Sequence, residues 1–166
     1  MKKDFAPTKC AVCDTSDNYQ ILWQEIINNR SAFDFSARRI DKRHYRIVQC
    51  KKCNLVYSNP ILTNEAILDL YRDSKFIMED QIANQIKTYL DQLKKIDDLV
   101  PGKENLLEIG CANGYFLRAA KELGYKNVYG VEPSKDCLEK ADPAVKDNII
   151  NDAFKEGIFA ESFFDV

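Results

Sequence analysis

The chain has 166 residues, close to the ~150 of one average domain, and its 45% hydrophobic and 30% charged residues exclude collagenous, low-complexity and wholly disordered classes. The net charge of −2 hides a division: residues 1–62 carry 11 Lys/Arg against 6 Asp/Glu, whereas residues 63–166 carry 13 against 20, so two units of different composition are expected. No run approaches the roughly 18 apolar residues of a membrane span, and Met1–Pro7 has no apolar stretch of a secretory signal, so a cytoplasmic location without membrane contact is expected.

The first segment mixes turn residues with short β-type runs, Tyr45–Gln49 and Leu55–Tyr57, and reads as small strands and knuckles. Cys10-x-x-Cys13 and Cys50-x-x-Cys53 are two pairs with the spacing of metal ligation; in a reducing compartment six cysteines do not suggest a disulfide framework. Four thiolates suit one tetrahedral Zn²⁺, with no open position for chemistry, so the ion is expected to be structural. Asp14 and Asn54, each just past the second cysteine of a pair, are the best non-glycine residues for a positive φ. The 36 residues between the pairs exceed the about 15 to 20 of a compact ribbon. Arg38, Arg39, Lys42, Arg43, His44, Arg46, Lys51 and Lys52 form a basic cluster that reads first as a solvated strand face and second as a nucleic-acid surface. His44, the only histidine, reads as a surface residue rather than a fifth ligand, and Trp23 as core.

Thr63 can cap a helix in which Ile67, Leu70 and Tyr71 share a face. A longer helix is predicted from about Glu79 to Leu99, with Ile82, Ile86, Tyr89, Leu90, Leu93 and Ile96 at three- and four-residue steps, before Pro101-Gly102 ends it. Strands then alternate with helices: Asn105–Ile109, helix Tyr115–Leu123, strand Val128–Val131, a helix capped by Ser134 and running to Ala141, and strand Asn148–Ile150. That alternation implies a parallel sheet in an α/β fold. Phe163–Val166 reads as the start of another strand. Cys111 and Cys137 read as packing residues, and Tyr89 and Tyr115 as core before substrate contacts.

Glu108-Ile109-Gly110-Cys111-Ala112-Asn113-Gly114 lies where the first of these strands turns into its helix, the place where parallel sheets bind ligands. Small residues at 110, 112 and 114 would let a ligand approach the backbone. A dinucleotide fingerprint would need a small residue at 115, which is Tyr, and this argues against a nicotinamide dehydrogenase. The pattern E-x-G-x-A-x-G instead resembles the first motif of class I S-adenosylmethionine-dependent methyltransferases, with Ala112 at its middle glycine. Glu132, in Val131-Glu132-Pro133-Ser134, falls where that family places its ribose-binding acid, and Asn151-Asp152-Ala153-Phe154 falls where it contacts adenine.

Together with the cysteine segment and the two helices, the chain resembles zinc-binding bacterial methyltransferases, including sugar C-methyltransferases. The resemblance implies S-adenosylmethionine held by Glu108, Gly110, Cys111, Ala112, Asn113, Gly114, Glu132, Pro133, Ser134, Asp152 and Ala153, and structural Zn²⁺ on Cys10, Cys13, Cys50 and Cys53. It implies a small-molecule methyl acceptor such as a nucleotide-linked sugar, and leaves the catalytic base unknown. The expected architecture is a zinc-ribbon-like segment at 1–62, linking helices at 63–102, and at 103–166 part of a Rossmann-like sheet, strands 3-2-1 plus the start of 4. Because the resembled sheet continues beyond that half, the chain is expected to be the N-terminal portion of an enzyme, inactive alone and self-associating through the open strand edge. The rival from another class is a non-catalytic zinc-ribbon module binding nucleic acid through residues 38–52.

Overall fold

The computed structural model describes residues 4–26, 44–76, 81–96, 99–100 and 102–166. The chain divides into two compact units, Met1–Leu70 and Tyr71–Val166.

In the first unit β1 (Phe5–Ala6) pairs antiparallel with β5 (Ile61–Leu62), and β2 (Tyr19–Trp23), β3 (Ile47–Cys50) and β4 (Val56–Ser58) form an antiparallel sheet in the order β2-β3-β4. Alternation decides which side of β3 is inside: Val48 and Cys50 are buried, while Ile47 and Gln49 are half-buried. A polar clamp fixes the chain after β4. Asn59 is buried; its side-chain oxygen accepts the Thr8 N–H at 3.0 Å and its carbonyl accepts Arg46 Nε at 2.8 Å. The Asn59–Pro60 peptide is cis. Helix α1 (Asn64–Arg72) starts as expected, with Thr63 Oγ1 accepting the Ala66 N–H at 3.2 Å.

Three expectations for this unit need correction. β3 begins two residues later than Tyr45 and runs on to Cys50, because Cys50 pairs with Tyr19 of β2, a strand that the turn-rich sequence concealed. Leu55 is outside β4, since its carbonyl closes the second cysteine knuckle by accepting the Cys50 N–H at 2.9 Å. Trp23 is not core: it is 60% exposed on β2, which pairs with β3 alone among the described residues.

The second unit contains α2 (Ile82–Ile96), β6 (Asn105–Ile109), α3 (Tyr115–Glu122), β7 (Asn127–Val131), α4 (Lys135–Glu139) and β8 (Ile149–Ile150). The three strands are parallel in the order β6-β7-β8, with Leu106 opposite Val128 and Gly130 opposite Ile149. Leu93 of α2, Leu117 and Ala120 of α3, Leu106, Tyr125, Val128, Val145 and Ile149 form the core. The predicted ends of the long helix, residues 79–80 and 97–98, lie outside the described residues. Helix α4 stops at Glu139, two residues short of the expected Ala141, because the Asp142 N–H turns away to the Asn113 carbonyl at 3.1 Å. Asn148 belongs to a 3₁₀ turn, Lys146–Asn148, that delivers the chain into β8. Among the described residues no helix is long and apolar enough to cross a membrane.

Residues 163–166 run along the outer side of β6. Asp165 N–H donates to the Asn105 carbonyl at 2.9 Å and Leu107 N–H to the Val166 carbonyl at 2.8 Å, while Asp165 Oδ2 accepts the Asn105 N–H. Phe159, Phe163 and Phe164 meet the Tyr129 ring edge to face, covering that side of β7. The strand expected to start at Phe163–Val166 is not formed: these residues run as an irregular segment over the first half of the β6 edge.

Gly130 lets the turn after β6 settle onto β7: a Cβ there would lie 2.4 Å from Cys111 Sγ and 2.9 Å from Leu117 Cδ1, both fully buried. Gly130→Ala is expected to destabilise the second unit by about 1–3 kcal/mol through overpacking. Gly102→Ala, whose nearest neighbour is the flexible Glu104 side chain at 3.7 Å, should leave stability almost unchanged. Urea midpoints of the two variants provide the comparison.

Candidate functional site

Where β6 ends, the chain makes a tight turn through Gly110 (φ 77°), Ala112 (φ 49°) and Gly114 (φ 76°) into α3. The three small residues have different reasons to be small. Among the described residues a Cβ on Gly110 would meet nothing within 4 Å, so they leave the space above this backbone open; a Cβ on Gly114 would strike Val145 at 2.8 Å and Ile149 at 3.1 Å. The expectation that all three positions admit a ligand is therefore corrected: Gly114 is small for packing. Ala112 holds a left-handed conformation that is unfavourable for alanine, and Glu132 braces it. The Glu132 carboxylate, at the end of β7, is buried and accepts the Ala112 N–H at 3.0 Å on one oxygen and the Ser134 N–H at 2.8 Å on the other. Ser134 then caps α4 by accepting the Cys137 N–H at 3.2 Å and donates to the Ser74 carbonyl at 2.9 Å. Pro133 lies between these two bonded residues.

The end of β8 joins the same cluster. Asn151 Nδ2 donates to the Glu132 carbonyl at 2.8 Å, and the Glu132 N–H donates to Ile150 at 2.9 Å. Asp152 follows, with one oxygen accepting the Ala153 N–H at 2.8 Å and the other Lys155 Nζ at 2.6 Å; Arg72 lies 3.8 Å away. The Lys155 hydrogen bond and the Ala153 N–H hold the Asp152 carboxyl below its ordinary pKa.

In the first unit Cys10, Cys13, Cys50 and Cys53 converge, with all four sulfurs within 4.8 Å of one another. The two knuckles are built alike. Asp14 N–H donates to the Cys10 carbonyl at 2.9 Å and Cys10 N–H to Thr15 at 3.1 Å; Asn54 N–H donates to Cys50 at 3.0 Å and Cys50 N–H to Leu55 at 2.9 Å. Asp14 (φ 55°) and Asn54 (φ 63°) take the positive φ that the sequence suggested. Sulfur pairs stand 3.4 Å (Cys10–Cys53), 3.5 Å (Cys13–Cys50) and 3.7 Å (Cys13–Cys53) apart. A tetrahedral ion with metal–sulfur bonds of about 2.3 Å would set sulfur edges near 3.8 Å, so the donor set fits Zn²⁺ closely. The N–H of Cys53, then that of Lys52, favour the Cys50 thiolate, whose pKa falls to about 6. The Leu55 N–H acts the same way on Cys53, but the neighbouring sulfurs and burial outweigh it and raise that thiol to about 12. Full ionisation of the cluster thus calls for a cation. His44 takes no part; its Nδ1 lies 2.7 Å from the Tyr45 carbonyl.

The family model described as "Methyltransferase domain" matches residues 78–165, just over half of the chain. The chain belongs to that family. No curated protein matches it. Membership supports a methyltransferase function and implies use of S-adenosylmethionine. In this methyltransferase domain the turn at 110–114, Glu132 and Asp152 are brought to one end of the parallel sheet, the ends of β6, β7 and β8, as the sequence expected. The methyltransferase model does not cover the four cysteines, which form their cluster in the other unit.

Glu108 stands apart electrostatically. Among the described residues Glu108 Oε2 and Asn113 Oδ1 are buried side-chain atoms without a hydrogen-bond partner. Burial, followed by the charge of Glu132, raises the Glu108 pKa to about 8. Glu108 lines a groove of about 580 Å³ with Tyr89, Leu93, Ile96 and Phe116. Tyr89 is 42% exposed and meets Phe116 edge to face, and Tyr115 donates its hydroxyl to Gln85 at 2.8 Å, so neither is simple core. Cys111 and Cys137 are buried, and burial raises both thiols above their ordinary pKa, as suits packing residues. Sequence reasoning missed Gln85 and Thr15. Only the hydroxyl two residues past Cys13 could have signalled the last, which lies 3.2 Å from the Cys13 sulfur.

Between the unfolded carboxyl pKa of about 4.3 and the folded value, the native chain holds a proton on Glu108 that the unfolded chain has lost. Its contribution to stability is therefore complete at low pH and disappears as pH rises toward 8. Glu108→Gln mimics the protonated acid, so it is expected to match wild type only below about pH 4, under the unfolded carboxyl pKa, and to exceed it increasingly from there up to pH 8. Chemical denaturation of both proteins across that range measures the gap.

Proposed function

We propose that this chain carries the cofactor-binding part of a class I S-adenosylmethionine-dependent methyltransferase and a structural Zn²⁺ site. In this reading β6-β7-β8 is the 1-2-3 half of a Rossmann-like sheet, and the cofactor lies across the C-terminal ends of β6 and β7. The observation that carries it is the Glu132 carboxylate. Each of its oxygens accepts one backbone N–H and keeps a second lone pair, so a cis-diol such as a ribose can be met without breaking the turn. Gly110 leaves open space for the cofactor's middle, Asp152 and Ala153 stand where the adenine edge would lie, and unpartnered Glu108 suits the cationic amino end. Bound S-adenosylmethionine supplies an activated methyl group; the chain's own task is to orient it and exclude water.

The acceptor in this reading is a small molecule, a nucleotide-linked sugar being the class that the resemblance to sugar C-methyltransferases favours. Binding of nucleic acid through residues 38–52 gains less support. Arg46 is engaged by the Asn59 carbonyl and lies 3.7 Å from Glu25, while Arg38, Arg39, Lys42 and Arg43 lie outside the described residues.

Titration calorimetry with S-adenosylhomocysteine tests the cofactor site. Glu132→Ala removes a charged acceptor and should weaken binding about tenfold or more, equivalent to about 1.5–3 kcal/mol. Equal affinity for the two proteins would place the site elsewhere. Elemental analysis should find one zinc per chain, reduced to background when Cys10 and Cys50 are replaced by Ser.

A further inference from the structure

The two cysteine knuckles are alike in backbone but differ at one equivalent position. Thr15 and Leu55 each stand five residues after the first cysteine of their pair, and each accepts that cysteine's N–H through its carbonyl. The Leu55 side chain has nothing to offer a sulfur; only its backbone N–H reaches Cys53. The Thr15 hydroxyl lies 3.2 Å from Cys13 Sγ in its own knuckle and 3.6 Å from Cys50 Sγ in the other. It is the side-chain hydroxyl that the structure brings to the sulfur cluster among the described residues. The Lys52 N–H, 3.4 Å from Cys50 Sγ, is a backbone donor that every side chain at that position retains.

We infer that Thr15 is a positioning residue of the metal centre, its hydroxyl donating to the Cys13 thiolate and holding the first knuckle against the second; this rests on the zinc reading above. A thiolate ligand carries more charge than one zinc bond neutralises. A hydroxyl donor stabilises the remainder and fixes the sulfur's direction, as partners around metal ligands generally do. Because Thr15 Oγ1 reaches sulfurs of both pairs, losing it loosens the junction between knuckles rather than one ligand alone.

The experiment compares wild type, Thr15→Val and Thr15→Ser, each as the full chain. Zinc affinity is read by competition with a chromophoric chelator, and the thiolate-to-metal charge-transfer band is read after substitution with Co²⁺. Valine keeps the shape and removes the hydroxyl; serine keeps the hydroxyl and removes the methyl. Thr15→Val is expected to bind zinc about tenfold more weakly and to move the Co²⁺ band to lower energy, with Thr15→Ser close to wild type in both. Equal affinities and spectra for wild type and Thr15→Val would overturn the role of Thr15 and leave the zinc reading standing. A serine variant as weak as the valine one would overturn it too, since the hydroxyl would then not be what matters. A wild-type protein that takes up no stoichiometric zinc would overturn the zinc reading and this inference with it.

Discussion

One buried carboxylate ties the candidate cofactor end of the parallel sheet together. Glu132 sits at the end of β7, and its two oxygens are bonded to the turn that follows β6 and to the residue that caps α4. Its main chain reaches β8, through the Ile150 carbonyl on one side and the Asn151 amide on the other. A carboxylate removed from water is costly unless donors surround it. The donors available are backbone N–H groups whose positions are defined only if the turn and the cap have already formed. The acid and the loop geometry therefore require each other. The left-handed alanine at 112, which by itself costs roughly 1–2 kcal/mol, is held by a charge-assisted bond that a mobile loop would not make.

The first unit solves a different problem. Among the described residues its strands are two to five residues long, Ile21, Trp23 and Val56 are exposed, and the buried apolar side chains are Val48, Leu62 and Ala66 beside Cys10 and Cys50. So small an apolar interior supplies little stabilisation, and the cysteine cluster sits where a larger core would otherwise be needed. The backbone of each knuckle is closed by its own pair of hydrogen bonds and by a residue at positive φ, which together aim the sulfurs at one point. What four thiols lack is a counter-charge.

Local signals carried most of what could be read from the sequence. The Asn105–Ile109 strand, the Tyr115 helix start, the Ser134 and Thr63 caps and the Asp14 and Asn54 conformations depend on neighbours within a few residues, and each is where the residue types placed it. Features set by distant partners were hidden. β2 is a strand because Cys50 and Gln49 pair with it; α4 is short because Asn113 claims the Asp142 N–H; Trp23 is exposed because its strand lies at a sheet edge. The glycine turn shows the same limit at finer scale. Spacing identified Gly110 and Gly114 as a pair, yet only the packing of Val145 and Ile149 separates an open position from a filled one.

The two acids of the methyltransferase motif region differ for the same kind of reason. Glu132 is supplied with N–H donors on both oxygens, whereas Glu108 Oε2 is buried without a hydrogen-bond partner among the described residues, in a groove lined by Tyr89, Leu93, Ile96 and Phe116 together with Gln92 and Lys95. A polar but neutral diol can share the first carboxylate without disturbing its bonds. The second is compensated only by a proton or by a cation brought to it, and burial has raised its pKa to about 8. A ligand with hydroxyls at one end and a positive charge at the other would find both acids matched to it, provided that charge can displace the proton from Glu108. On this account the polarity of the bound ligand along the sheet follows from which acid has backbone donors. The turn after β6 decides that, by aiming the Ala112 N–H at Glu132 rather than at Glu108.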